Sequence, residues 1–78
     1  MPVPEPDLSQ LRHILNAHRA AKNLTFEQLA EVSGISRQTL LNLSSGKYNG
    51  DLRTWLKISR ALGVGMDALL AVVWGAQD

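Results

Sequence analysis

The stretch that decides the fold is Thr25 to Gly46, TFEQLAEVSGISRQTLLNLSSG. It reads as two short helices joined by a tight turn at Gly34. Thr25 can cap the first helix, and Gln28, three positions on, can complete a capping box. Ser36 can cap the second. Between the caps, Ser33-Gly34 breaks the apolar periodicity, and glycine takes the left-handed backbone that ends a helix. Leu29, Ala30 and Val32 are expected to face inward, with Ala30 small where two helix backbones approach. At about 3.6 residues per turn, the second helix puts Ser36, Leu40 and Leu43 on one side. Arg37, Gln38, Leu41, Asn42 and Ser45 fall on the other.

That second side carries side chains suited to base edges. Arginine matches guanine, and glutamine or asparagine matches adenine, each through paired hydrogen bonds in the major groove. Arg37, Gln38 and Asn42 are therefore the candidate base readers. Leu41 stands with them as either a contact to a thymine methyl or a core-edge residue. A polar outer face is common to helices in general. What separates this one is the joint presence of two caps, a glycine turn and a short second helix in one frame.

The segment resembles the Cro/cI-type helix-turn-helix family, the xenobiotic-response-element class of phage and bacterial repressors. The resembling residues are Arg19, Leu24-Thr25, Leu29-Ala30, Gly34-Ile35-Ser36, Leu40, Leu43 and Gly46, followed by Ala61-Leu62-Gly63-Val64 and Asp67-Ala68-Leu69-Leu70. The likeness runs from about Leu11 to Leu70. It implies an all-α fold, a compact five-helix bundle whose third helix reads DNA, and a function in transcriptional control, more often repression. It also implies phosphate contacts from Thr25 and Phe26, from Ser36 and Thr39, from the loop Lys47, Tyr48 and Asn49, and from Arg53. Two departures stand out. Where the family often pairs an arginine at Arg19 with a glutamate late in the third helix, this chain has Ser44, which leaves Arg19 to reach a backbone carbonyl or a phosphate. Where the family often has proline, this chain has Gly50, which suggests a looser loop.

Size and composition set the outer limits. The chain has 78 residues, 45% of them hydrophobic, which suits one small globular domain. It has no cysteine, so disulfides and thiolate-held zinc are excluded, and a reducing cytoplasm is the expected setting. No apolar run reaches membrane-spanning length and no secretory signal opens the sequence, so no membrane partner is expected. The net charge is only +1, but it is unevenly placed. From Ile35 to Arg60 the charges are Arg37, Lys47, Arg53, Lys57 and Arg60 against Asp51 alone, a basic side that can meet phosphates.

The remaining segments are read in order. The prolines of MPVPEP favour an extended tail over 1–6. Asp7 caps a first helix with Gln10 at the capping-box position, and that helix runs to about Lys22, with Asn23 as its stop. Leu8, Leu11, Leu15 and His18 make its inward stripe, with Ile14 beside it. His13 and His18 are about 140° apart around a helix and do not form a metal pair. Glu27 and Glu31 share a face and are expected to be solvated. Asp51 caps a fourth helix, Leu52 to Leu62, which Gly63 ends; Leu52, Trp55, Ser59 and Leu62 face inward with Leu56 and Ile58 flanking. Arg53, Lys57 and Arg60 form a stripe on its other side. A last helix starts near Met66 and runs through Trp74, leaving 75–78 as a tail.

Leu69 and Val73, with Met66, give that last helix an inward face; Leu70 and Trp74 widen it beyond what so small a core needs, and Leu70, Val73 and Trp74 are the candidate partner surface. Either they meet a partner, as a second copy in a homodimer, or Trp74 folds back on Trp55 or the first helix. The reading is therefore a double-stranded-DNA-binding regulator without metal or cofactor. The alternative is a protein-interaction module, an antitoxin or adaptor using the surface around Val72 to Trp74. An enzyme is not expected, because no histidine stands beside a nucleophile, no carboxylates converge and no phosphate-binding glycine loop is present.

Overall fold

The computed structural model describes residues 2–74, and all regular structure among them is helical. Five α-helices follow one another: α1 (Leu11–Ala21), α2 (Phe26–Ser33), α3 (Arg37–Ser45), α4 (Leu52–Leu62) and α5 (Met66–Leu70). A 3-10 turn, Leu8–Gln10, leads into α1, and another, Ala71–Trp74, follows α5. Residues 2–6 carry no regular structure and are exposed.

One core joins all five helices. Leu11, Ile14 and Leu15 of α1, Leu29 of α2, Leu40 and Leu43 of α3, Trp55, Ile58 and Leu62 of α4 and Leu69 of α5 are buried together with Ile35 and Val73. These are apolar positions repeating at helical spacing, and burying them is what holds the short helices in place. Leu15, Leu29, Leu40, Leu43, Ile58, Leu62 and Leu69 are all but sealed from solvent.

The caps explain the boundaries. The Thr25 hydroxyl accepts from the Gln28 backbone N–H at 3.0 Å, and the Gln28 side chain accepts from the Thr25 N–H at 2.8 Å, a complete capping box. Ser36 and Asp51 accept from the Thr39 and Thr54 backbone N–H groups at the starts of α3 and α4. Gly34, Gly46 and Gly63 end their helices in the left-handed conformation, and Asn23 adopts it after α1 with φ 56°. A glycine needs no Cβ there, and Asn is the residue that tolerates it best otherwise.

Several expectations are corrected. Asp7 caps the 3-10 turn rather than α1, and no capping box forms. Its backbone N–H, which Gln10 would have to engage, instead donates to the Val73 carbonyl at 2.6 Å. The tighter turn also swings Leu8 out of the α1 stripe, leaving it 46% exposed. In α2 the inner face is Leu29 and Ser33, one turn apart, so Val32 points outward. In α4 it is Trp55, Ile58, Ser59 and Leu62; Leu52 and Leu56 are exposed. The last helix tightens to a 3-10 turn after Leu70, and that turn carries Val73 into the core. Val73 is therefore not a partner-facing residue, whereas Leu70 is half-buried and Trp74 exposed. The tail expected over 75–78 lies outside the described residues.

Candidate nucleic-acid interface

α2 and α3 are locked in relation to each other by local chemistry. The buried Ser33 hydroxyl accepts from the Ile35 N–H at 3.2 Å, and Ile35 is anchored in the core. The turn between the helices is thus held by the side chain of Ser33 and by the burial of Ile35 just before α3. From the other side, Asn16 of α1 donates through its amide nitrogen to the Ser44 carbonyl at 3.1 Å. Arg12 of α1 lies over Gly46, within about 3.3 Å of where a Cβ would stand. Its charge sits where the carbonyls of α3 end, the favourable position for a cation.

α3 then sorts as its periodicity requires. Leu40 and Leu43 are buried, Arg37, Gln38 and Ser45 are exposed, and Thr39, Leu41, Asn42 and Ser44 are half-buried at the edges. The Gln38 amide nitrogen donates to the Asn42 carboxamide oxygen at 3.1 Å. The two amides thus lie on one face, one turn apart. Leu41 is half-buried on α3 but does not pack against the core cluster. Arg37 pairs with Glu27 at the start of α2, Nε to Oε2 3.2 Å.

The expected phosphate contacts divide into groups. Thr39, Tyr48 and Arg53 line one open groove, together with Asn42 and Lys57. This brings α3, the following loop and the start of α4 to a common polar surface. Lys57 is not among the expected phosphate contacts; its position one turn after Arg53 in the basic stripe is the signal that points to it. Asn49 lies apart, in a depression with Leu8, Ser9, Arg12 and Gly46. Its carbonyl is engaged by the Trp55 indole N–H at 2.7 Å. Lys47 is exposed, but the backbone N–H groups of Lys47 and Tyr48 both donate to the Asn42 carbonyl, at 3.0 and 3.3 Å. Those two amides are committed to ending α3, so at Lys47 and Tyr48 the loop offers side chains.

At the start of α2, Thr25 is exposed and Phe26 half-buried. Phe26 carries the Arg19 guanidinium over its ring, 4.2 Å from the centroid. Arg19 Nη1 donates to the Leu24 carbonyl at 2.7 Å. Of the two roles open to Arg19, the carbonyl is the one adopted. Ser36 and Thr39 share a hydroxyl–hydroxyl bond of 2.8 Å besides the cap. Asp51 borders the polar groove, and its carboxyl is held below the usual carboxylate range by the hydrogen bonds it takes from the Thr54 backbone and side chain. Among the described residues no group of histidines and carboxylates is arranged to hold a metal ion, and no helix is long and apolar enough to cross a membrane.

A model of the helix-turn-helix family HTH_3 matches residues 15–69, which include α2, the turn and all of α3. The chain belongs to this family. An uncharacterized HTH-type transcriptional regulator of Methanocaldococcus jannaschii is 41% identical over 54 residues, covering 69% of this chain and 82% of that one. A second, from Methanothermobacter thermautotrophicus, is 42% identical over 53 residues, covering 68% and 77%. Among solved structures, the restriction-modification controller protein C.AhdI of Aeromonas hydrophila superposes with a TM-score of 0.75 at 33% identity, covering 81% of this chain and 96% of that one. The hypothetical transcription factor NHTF from Neisseria does so at 0.69 and 30%, covering 90% and 83%. These likenesses support the all-helical architecture and its assignment to transcriptional regulators.

Proposed function

We propose that this helix-turn-helix regulator binds duplex DNA sequence-specifically by laying α3 in the major groove. The observation that carries the reading is the outer face of α3. Arg37, Gln38 and Asn42 stand on a short helix whose opposite face is sealed in the core, and the two carboxamides already bond to each other. A rigid helix that presents a guanidinium and two amides together is the arrangement that direct base readout requires. Half-buried Leu41 supplies an apolar contact for a thymine methyl. Lys47, Tyr48, Arg53 and Thr39 grip the phosphates on one flank, and Thr25, Phe26 and Ser36 do so at the helix starts. Asn49 is the outlier of this set. Occupying a promoter in this way represses transcription.

A domain of this size covers few base pairs, so tight operator binding calls for two copies on half-sites about one DNA turn apart. The surface that suits a second copy is the cleft of about 500 Å³ between α4, α5 and the N-terminal turn. Leu52, Leu70, Trp55 and Trp74 line it, and Leu52 and Trp74 are exposed. The same surface supports the second reading, an antitoxin or adaptor that grips another protein there.

Selection from a random duplex library tests the proposal. The expected result is one enriched motif, palindromic if two copies bind, that Arg37→Ala and Gln38→Ala relax at separate positions. No enrichment by the wild-type chain, together with capture of a protein partner that depends on Trp74 and not on Arg37, would replace it with the interaction reading.

A further inference from the structure

Glu27 lies in the first turn of α2, and Arg37 opens α3. Their side chains meet across the helix-turn-helix corner, with Arg37 Nε 3.2 Å from Glu27 Oε2, and both remain largely exposed, at 54% and 68%. Among the described residues this is the one ion pair. An exposed pair adds little to stability. A carboxylate at the start of α2 also stands beside the surface expected to approach phosphates, where it opposes binding.

The atoms that make the pair give it a different purpose. A guanidinium has a side edge, which includes Nε, and an end edge formed by its two terminal nitrogens. The Glu27 carboxylate approaches the guanidinium on the side of Nε, at 3.2 Å. That contact leaves the terminal pair of nitrogens as the fork that matches O6 and N7 of guanine. A free arginine on this helix has many rotamers and a strong preference for the nearest phosphate. One with a carboxylate beside its Nε favours the rotamers that keep that contact, and part of its charge is offset.

We infer that Glu27 is a positioning residue for base specificity: its carboxylate biases Arg37 through the contact at Nε, leaves the terminal fork for a guanine and draws the guanidinium away from phosphates. The inference rests on the reading of α3 proposed above and adds a residue of α2 to it.

Glu27→Gln tests it, because it keeps the size of the side chain and removes the charge. Wild type and variant are put through the same duplex selection, and each is titrated against an unrelated duplex over a range of salt. In the variant, preference for guanine at the position that Arg37 reads is expected to fall about two- to fivefold, the range an exposed ion pair supports, with the other positions unchanged. Binding to the unrelated duplex is expected to strengthen. Its salt dependence should steepen by about 0.9 in log K per log salt, because Arg37 is released to a phosphate. Glu27→Asp, which keeps the charge, should recover part of the preference, and in an Arg37→Ala background Glu27→Gln should change no base preference. A motif identical at every position in wild type and Glu27→Gln overturns the role of Glu27 alone. A wild-type chain that enriches no motif overturns the reading of α3 and this inference with it.

Discussion

The indole N–H of Trp55 donates to the carbonyl of Asn49 across 2.7 Å, and Gly50 stands so close beneath the ring that a Cβ there would lie 2.7 Å from the same nitrogen. Gly50 has φ 79°, a conformation closed to proline and strained for any L side chain. The departure from the family's usual proline is therefore a requirement of close packing. It does not loosen the loop: α4 seats a tryptophan against the loop backbone, and only a bare Cα fits between them.

Gly50→Ala is expected to destabilise the domain by about 1–3 kcal/mol, through both the positive φ and the collision with Trp55. Gly34→Ala is the control. Its φ is 73° but nothing lies within 4 Å of the added methyl, so it should cost only about 1 kcal/mol. Urea unfolding of the two variants measures the difference. Equal losses would mean that the indole contributes nothing to the demand for glycine.

Arg53→Ala and Lys57→Ala should each weaken binding to all duplexes alike and lower the salt slope by about 0.9, because both line the polar groove beside Tyr48 and Thr39. Arg60→Ala should do far less. Arg60 belongs to the same stripe in sequence but lines a different depression, with Val32 and Leu56. Fluorescence anisotropy against labelled duplexes at several salt concentrations separates the three.

Acid should act on the caps. Hydrogen bonds from Thr54 hold the Asp51 carboxyl below its ordinary value of 3.8, and hydrogen bonds from Ser9 and Gln10 do the same for Asp7. A group whose pKa is lower in the folded state than in the unfolded one binds its proton more readily when unfolded. Its contribution is therefore complete above about pH 3.8 and is lost as pH falls through the lower folded value. Asp51→Asn, which keeps a capping side chain without a titrating group, should flatten that acid limb. The check is urea unfolding followed between pH 5 and pH 2 at about constant salt.

Leu40→Ala is expected to cost about 2–5 kcal/mol. Leu40 is fully buried on the inner side of α3, so the loss should remove DNA binding and helical signal together. Arg37→Ala should leave the far-ultraviolet circular dichroism melt nearly unchanged, since its one ion pair is exposed. A Leu40→Ala domain that melts like wild type would contradict the packing described.

Much of this arrangement was legible in the sequence because it is local. Thr25 with Gln28, Ser36, Asp51 and the glycines at 34, 46 and 63 mark helix ends through chemistry that spans a few residues, and the structure has each in that role. The apolar period gave the middle of each inward stripe. It did not give the edges, because which flank of a stripe is covered depends on the neighbouring helix. Val32, Leu52 and Leu56 point outward for that reason, and Leu8 does so because a 3-10 turn shifts the angle at which it emerges. Nothing in the sequence marks Asn16, because its partner is a backbone carbonyl 28 residues away. The pairing of Arg37 with Glu27 depends on the angle between two helices, which composition and spacing do not encode.

The bond from the Asp7 amide to the Val73 carbonyl joins the first described turn to the last. Releasing either turn strips the other of this bond, next to Leu11 and Val73 of the core. Slow deuterium uptake at the single Asp7 amide therefore reports whether the turn Ala71–Trp74 is seated. A large cargo fused before Asp7 or after Trp74 would pull on the same latch.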